Sequence, residues 1–312
     1  MSVALEGFAR DVAEGLAREP KTIPPQYFYD DLGSLLFEAI CRLPWYTITR
    51  AELALLTSAA PEIAAHLPRP LTLLELGPGG GQKLALVAEA AVAAGRVAVQ
   101  LVDVSEEALT LATATLARLP VAVTCYRASF EEGLRAAAAQ RDGTTLVLFL
   151  GSNIGNLDMA EAAAFVREIR RALRPGDGFL LGADLIKPER DLRLAYDDPL
   201  GVTAAFNKNV LIRMNRELGA SFDPIDFRHH ALWNPAESRM EMHLVAQRDV
   251  DVEVPLAGCR ARLQEGESLF TECSYKYDPA RLKALVEDAG FRLARRFVDG
   301  TAHFALLLFE AA

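Results

Sequence analysis

The stretch LTLLELGPGGG, residues 71–81, decides how the rest of the chain is interpreted. Residues 71–76 are mostly apolar and predict a short buried strand, and glycine then occupies positions 77, 79, 80 and 81. Glycine allows tight turns and close approach of the backbone to a ligand. A helix is predicted from about Gln82, and a helix N-terminus favours polar or anionic groups. The stretch therefore predicts a strand, a ligand-binding turn and a helix in succession.

The same alternation of apolar runs with alanine-rich helical stretches continues to about residue 185. The predicted strands are 71–76, 97–104, 121–128, 145–150 and 179–185. Their apolar runs are continuous rather than alternating, which indicates strands covered on both faces, as in a parallel sheet between helices. A helix at 279–289 and two strands at 293–298 and 304–309 follow later, and this last pair is expected to be antiparallel. The predicted fold class is α/β, a doubly wound sheet closed by a C-terminal hairpin.

The alternation breaks between residues 187 and 276, and this segment is too long to be a simple loop. We therefore predict a second, smaller α+β lobe that binds the substrate, formed by residues 1–60 and 187–276. The cofactor-binding domain is predicted to comprise residues 61–186 and 277–312.

Composition limits the classes of partner. The 312 residues carry a formal net charge of −9 and no basic run, which argues against nucleic acid. The N-terminus lacks the basic and apolar regions of a signal peptide, and no apolar run is long enough to cross a bilayer. Four scattered cysteines without CxxC spacing suit a reducing compartment. We expect a cytoplasmic monomer with no membrane partner and no metal site.

The glycine turn reads ExGxGxG from Glu75 onward, and Gln82 stands where a dinucleotide-binding GxGxxG would need its third glycine. This form is similar to the S-adenosylmethionine loop. Asp103, at the end of the second predicted strand, would accept hydrogen bonds from ribose hydroxyls. The alternative is that Asp103 caps the helix starting near Glu106. Lys83 is expected near the methionine carboxylate, although a solvated lysine on the helix face is an equal alternative.

Longer segments point to one family. They are PPQYFYDDLGS (24–34), LPWYTITR (43–50), FLGSNIGNL (149–157), AYDD (195–198) with AFN (205–207), and TECSYK (271–276). Together they resemble the histidine-specific, S-adenosylmethionine-dependent methyltransferases of ergothioneine biosynthesis, from about residue 10 to the C-terminus. The resemblance implies a class I, Rossmann-like methyltransferase. It would transfer methyl groups to the α-amino group of L-histidine and give Nα,Nα,Nα-trimethylhistidine (hercynine).

The resemblance also implies roles for substrate-side residues. Tyr29 is expected near the acceptor amine, and the amide of Asn156 is suited to both the amine and the carboxylate of an amino acid. Tyr46 and Tyr196 would donate hydrogen bonds to the carboxylate. For each tyrosine, a plain role in the core is the alternative.

Glu272 and Ser274 are expected to select the substrate. Two positions apart on a strand, they face the same side. The resemblance implies that the carboxylate binds one imidazole N–H and the hydroxyl binds the other ring nitrogen, with Met242 as an apolar wall. On the cofactor side, the implied residues are Gly77, Gly79, Lys83, Asp103, Ser129, Phe130 and Gly151.

The chain departs from the family pattern at Ser129, where an acid is frequent, and around Tyr46, at Trp45 and Thr47. Four alternatives stay open at this point. The acceptor could be a ring nitrogen of a thiolated histidine or a tryptophan-derived amine, or the protein could be a non-catalytic binder of S-adenosylmethionine or a metabolite. A nicotinamide dehydrogenase is the generic alternative for the sheet.

Overall fold

The structure is a computed structural model that describes residues 3–312. The first two residues of the predicted lobe segment 1–60 lie outside the described residues. The helices are α1 (Val3–Leu16), α2 (Asp31–Arg42), α3 (Ile48–His66), α4 (Gln82–Val92), α5 (Glu106–Leu116), α6 (Phe130–Ala139), α7 (Met159–Ala172), α8 (Glu189–Tyr196), α9 (Val202–Leu218) and α10 (Pro279–Glu287). The strands are β1 (Lys21–Thr22), β2 (Leu71–Leu76), β3 (Val97–Asp103), β4 (Ala122–Arg127), β5 (Thr144–Phe149), β6 (Gly178–Asp184), β7 (Phe227–Asn234), β8 (Arg239–Ala246), β9 (Val250–Val254), β10 (Cys259–Leu263), β11 (Ser268–Tyr275), β12 (Phe291–Asp299) and β13 (Phe304–Ala311).

The chain divides into two compact units. The sheet unit comprises Ile48–Ile186 and Lys276–Ala312, and the lobe comprises the described residues up to Thr47 together with Lys187–Tyr275. The first boundary lies before α3, whereas the sequence led us to expect it after residue 60. The reason is that α3 packs against α4, β12 and β13, all of which belong to the sheet unit.

The sheet unit is built on seven strands in the order β12-β13-β6-β5-β2-β3-β4. Strands β2 to β6 are mutually parallel, whereas β13 is antiparallel to both β6 and β12. Every residue of β2 and of β6 is buried, so both faces of the central sheet are covered. The predicted doubly wound sheet with an antiparallel C-terminal hairpin is confirmed.

Local signals fix where several helices of this unit begin. Ser105 caps α5 by accepting the Ala108 N–H at 3.2 Å. Asp158 accepts the Glu161 N–H at 2.8 Å before α7, while the Glu161 side chain accepts the Asp158 N–H at 2.9 Å. Such reciprocal capping satisfies helix N–H groups that have no partner within the helix.

The lobe contains a four-stranded sheet in the order β1-β11-β8-β7 and a two-stranded sheet of β10 and β9. Strand β1 is parallel to β11, and the β11-β8 and β8-β7 pairs are antiparallel. Helix α9 packs against β7, β8 and α2. Among residues 3–312, none of the helices combines the length and the apolar character that crossing a membrane requires.

Candidate active site

The glycine turn after β2 has left-handed backbone at Gly77 (φ +75°), Gly79 (φ +51°) and Gly81 (φ +77°). A Cβ atom added to Gly81 would lie 2.8 Å from the Cα of Ala112, so this glycine allows α4 to start close to α5. A Cβ atom on Gly79 would meet nothing within 4 Å, and Gly79 is exposed. The turn is therefore anchored at one end and leaves its backbone open in the middle.

The other predicted cofactor residues lie at the same edge of the sheet. Asp103 ends β3, Phe130 opens the helix after β4, and Gly151 follows β5. These strands flank β2 in the order β5-β2-β3-β4 and are parallel, so their carboxyl ends share one edge. A Cβ atom on Gly77 would lie 3.3 Å from Cζ of Phe130, which places this aromatic ring directly beside the turn.

Asp103 is not the cap of the helix that follows, because the N-cap of α5 is Ser105. Instead, the Asp103 carboxylate accepts the Ser105 N–H at 2.9 Å. Burial raises the pKa of Asp103, and this backbone hydrogen bond opposes the rise. A carboxylate fixed at the tip of the second sheet strand suits ribose hydroxyls.

Lys83 lies just inside α4, and its ammonium forms an ion pair with Glu52 at 2.6 Å. Glu52 is fully buried, and each of its oxygens lies 2.9 Å from the Gly151 backbone nitrogen, whose N–H it accepts. Sequence reasoning missed Glu52, because a single acid in an alanine-rich helix carries no signal of what it contacts. Gly182 makes room for it, since a Cβ atom there would lie 2.0 Å from Oε1 of Glu52.

Glu75, the acid of the ExGxGxG turn, is buried near Lys83, Glu52 and Asp103, whose charges act on its carboxyl. Burial raises the pKa of its carboxyl to about 8, against the opposing effect of the Lys83 charge. Its Oε2 has no hydrogen-bond partner among the described residues. Burial therefore favours the neutral carboxylic acid form of Glu75.

Ser129 is the N-cap of α6, and its hydroxyl oxygen accepts the Glu132 N–H at 3.3 Å. A hydroxyl that accepts this bond still carries a hydrogen to donate. Open glycine backbone, a carboxylate for ribose, the Phe130 ring and a partly exposed lysine suit S-adenosylmethionine, which offers ribose hydroxyls, an aromatic base and a carboxylate. The donor set of the sheet unit therefore fits this cofactor.

Asn156 ends a short 3-10 turn, Asn153–Asn156, in the sheet unit. The turn follows Gly151 and Ser152, both of which have left-handed backbone. Asn153 lies close to the glycine turn, with Nδ2 3.1 Å from the Cβ position of Gly77. Asn156 therefore lies at the end of a turn whose first residue, Asn153, is close to the glycine turn.

In the lobe, the three predicted substrate-selecting residues share one sheet face. Glu272 pairs with Met242 across β11 and β8, and Ser274 lies two positions further along β11. All three side chains are buried. The register shifts at Thr271, between Phe270 and Glu272. The Thr271 hydroxyl lies 2.7 Å from Asn207 Oδ1 and 2.9 Å from the Met242 carbonyl oxygen, and its hydrogen is shared between these two acceptors. These contacts hold the irregularity in place.

The predicted tyrosines meet in an aromatic cluster of the lobe. The Tyr46 and Tyr196 rings lie 6.5 Å apart, and the Tyr196 hydroxyl donates to Ser274 Oγ at 2.8 Å. Tyr29 is partly exposed and packs edge-on against Phe37 and Phe206, with 5.6 Å between ring centroids in each case. The cluster therefore connects Tyr29 and Tyr46 with the sheet face that carries Ser274.

A buried histidine supports Tyr196. His229 Nε2 lies 2.9 Å from the Tyr196 carbonyl, and its Nδ1 lies 2.9 Å from Nδ2 of Asn207. A carbonyl needs a donor and an amide NH₂ needs an acceptor, so the ring is neutral with its hydrogen on Nε2. Burial lowers the pKa of His229, in agreement with this neutral form. The described residues contain no group of metal-binding side chains.

The structure thus gathers the predicted residues into two sets. The sheet unit holds Gly77, Gly79, Lys83, Asp103, Ser129, Phe130, Gly151 and Asn156, and the lobe holds Tyr29, Tyr46, Tyr196, Met242, Glu272 and Ser274.

Comparison with known proteins identifies the family. Residues 8–311 match the family described as histidine-specific methyltransferase, SAM-dependent. The chain is 41% identical over 303 residues to the histidine N-alpha-methyltransferase of Mycobacterium tuberculosis (strain CDC 1551 / Oshkosh), across 96% of this chain and 93% of that protein. For the enzyme of the same name from Mycolicibacterium smegmatis, the identity is 40% over 308 residues, across 98% and 95%. The 4-dimethylallyltryptophan N-methyltransferase of Claviceps purpurea is 28% identical over 311 residues, across 91% and 89%.

The family match spans nearly the whole chain and includes both units. It agrees with the glycine turn, the acid at the tip of β3 and the sheet order, and it confirms the resemblance, the enzyme class and the cofactor expected from the sequence. The chain belongs to the histidine-specific, S-adenosylmethionine-dependent methyltransferase family.

Proposed function

We propose that this methyltransferase transfers methyl groups to the α-amino group of L-histidine and forms Nα,Nα,Nα-trimethylhistidine. The single observation that carries the proposal is the buried lobe face on which Glu272 and Ser274 stand together opposite Met242. A carboxylate only accepts hydrogen bonds, so in contact with the acceptor Glu272 would favour a side chain that offers an N–H donor. The relatives named histidine N-alpha-methyltransferase support the same acceptor.

Side-chain chemistry defines how the ring would be held. Glu272 would accept an N–H of the imidazole, and the Ser274 hydroxyl would donate to the nitrogen without a hydrogen. An indole also offers an N–H but has no second ring nitrogen to accept from Ser274. This pair therefore favours an imidazole over the tryptophan-derived acceptor named for the Claviceps purpurea relative.

The reacting amine needs orientation rather than acid or metal chemistry. When bound, S-adenosylmethionine would supply a methyl group on a positively charged sulfur: the amine lone pair would form the N–C bond in line as the C–S bond breaks, S-adenosylhomocysteine would leave, and the amine would lose a proton before each further transfer. Asn156 would hold the amine through its amide oxygen and the carboxylate through its amide N–H, while Tyr46 would donate to the carboxylate. Such positioning converts the transfer into an effectively intramolecular step.

The acceptor is tested by incubating the purified protein with S-adenosylmethionine and a mixture of the twenty amino acids, followed by mass spectrometry. The expected result is stepwise addition of one, two and three methyl groups to histidine alone. Methylation of tryptophan, or no methylated histidine despite measured cofactor binding, would refute the proposed acceptor. Raising the pH through the pKa of the histidine amine should increase the rate, because only the neutral amine has a lone pair.

A further inference from the structure

Few hydrogen bonds within the turn Asn153–Asn156 hold it in place. The Gly155 N–H donates to the Ser152 carbonyl at 2.8 Å, and the Leu157 N–H donates to the Ile154 carbonyl at 3.3 Å. These bonds, like the bond from the Asn153 N–H to the Leu150 carbonyl at 3.4 Å, join residues only three positions apart and do not connect the turn to distant segments of the sheet unit. The direction of the Asn156 amide therefore depends on contacts from other segments.

Two such contacts hold the start of this segment. The Gly151 N–H is fixed by the buried Glu52 carboxylate. Ser152 adopts a left-handed backbone (φ +59°), which is uncommon for a residue other than glycine. Its buried hydroxyl accepts the Asp184 N–H at 2.9 Å, which attaches this unusual conformation to the end of β6.

A third contact holds the turn itself. Tyr277 is buried, and its hydroxyl donates to the Ile154 carbonyl at 3.1 Å. The backbone of Tyr277 is fixed in turn, because its N–H donates to the Asp184 carbonyl and its own carbonyl accepts the Ile186 N–H, each at 3.1 Å. The phenol ring is therefore a rigid connection from the end of β6 to a carbonyl two residues before Asn156.

We propose that Tyr277 is a positioning residue for methyl transfer: its hydroxyl fixes the turn Asn153–Asn156 and so aims the Asn156 amide at the acceptor amine. The inference rests on the proposed function, in which Asn156 orients that amine. In-line transfer is sensitive to displacements of about 1 Å, so a loosened turn should slow the reaction. Cofactor binding should change little, because the Tyr277 hydroxyl bonds the Ile154 carbonyl rather than a residue assigned to the cofactor.

The test is a double-mutant cycle between Tyr277→Phe and Asn156→Ala. Phenylalanine keeps the ring in the core and removes only the hydroxyl, so we expect kcat for histidine to fall about tenfold. The affinity for S-adenosylhomocysteine should stay unchanged, which also shows that the sheet unit is folded. In the Asn156→Ala background, the second substitution should change kcat by less than about twofold, since the hydroxyl acts through Asn156.

Tyr126→Phe is the matched control, because this tyrosine hydroxyl also makes hydrogen bonds in the sheet unit, with Gln100 and Gln140. It should leave kcat unchanged. Equal losses from Tyr277→Phe with and without Asn156, or loss of S-adenosylhomocysteine binding, would overturn the positioning role. A wild-type protein that methylates no histidine would refute the proposed function itself, independently of any variant.

Discussion

The Tyr196 hydroxyl donates a 2.8 Å hydrogen bond to Ser274 Oγ, and this bond constrains the roles that both residues can play. Sequence resemblance implies that Tyr196 donates to the substrate carboxylate and that Ser274 contacts the imidazole. A phenol has a single hydrogen, so Tyr196 cannot donate to Ser274 and to a carboxylate at once. A serine that accepts from Tyr196 directs its own hydrogen to another acceptor, such as an unprotonated ring nitrogen.

This relationship predicts that Tyr196→Phe and Ser274→Ala are not additive. Each should weaken histidine binding, and the double variant should lose about as much as Ser274→Ala alone, because Tyr196 acts by orienting Ser274. Calorimetric titration of histidine in the presence of S-adenosylhomocysteine measures the three affinities. Additive losses would instead assign Tyr196 a separate contact with the carboxylate.

Glu272→Ala should weaken histidine binding with little effect on the cofactor. Loss of a hydrogen bond to a charged group costs on the order of 1.5–3 kcal/mol, or roughly ten- to a hundredfold in affinity. Glu272→Gln should lose less, since its amide oxygen can still accept the ring N–H. Glu265→Ala, an exposed acid of the lobe, is the control. Unchanged histidine affinity in Glu272→Ala would remove the assigned ring contact.

Glu75 should make the stability of the protein depend on pH. Burial raises the pKa of its carboxyl from 4.5 to about 8, so the folded state favours the protonated form. Its contribution to stability is complete below the unfolded pKa near 4.5 and is lost as the pH rises toward about 8. The slope is at most about 1.4 kcal/mol per pH unit in this window.

Glu75→Gln should therefore flatten the decline in the free energy of unfolding as the pH rises, as measured by urea titration between about pH 5 and 8. The variant should gain stability relative to the wild type at the alkaline end. Glu89→Gln serves as the control, because Glu89 is an exposed acid on α4. Parallel curves for the wild type and Glu75→Gln would show that the Glu75 carboxyl is ionised in the folded protein throughout this range.

His229 should make the stability of the protein depend on pH in the opposite direction, with a loss toward acidic pH. Burial lowers its pKa below the usual 6.5, so the folded state favours the neutral ring. Its contribution to stability is complete above pH 6.5 and is lost as the pH falls through the lowered pKa. His229→Gln should reduce the loss of stability toward acidic pH in urea titrations. A loss of stability toward acidic pH that is the same in His229→Gln and in the wild type would show that this ring is not the responsible group.

Much of the sheet unit could be predicted from the sequence. The predicted strand 71–76 matches β2 at both ends. For the other parallel strands, no predicted end differs from the observed end by more than one residue. Continuous apolar runs and glycine turns are local signals, and parallel strands must bring their carboxyl ends to one edge. Asp103 and Gly151 could therefore be assigned to the same edge as the glycine turn from the sequence alone.

The lobe was harder to predict. Strand β1 has two residues and pairs with β11, about 250 positions later, so its own sequence carries no pattern that reveals it. The boundary at Thr47 follows from the packing of α3 against β12 and β13, which depends on the folded hairpin. Such contacts form between segments that are far apart in the sequence, and the residue pattern of one segment does not indicate which other segment it contacts.

The sequence by itself determined the doubly wound sheet, the cofactor edge and the family, because local apolar periodicity, glycine spacing and motif order specify them. Only the tertiary structure decided that Glu52 joins Lys83 to Gly151, that Tyr196 donates to Ser274 and that Tyr277 holds the turn before Asn156. Each of these is a hydrogen bond or ion pair between distant segments. Its geometry is set by how helices and strands pack, which no local pattern encodes.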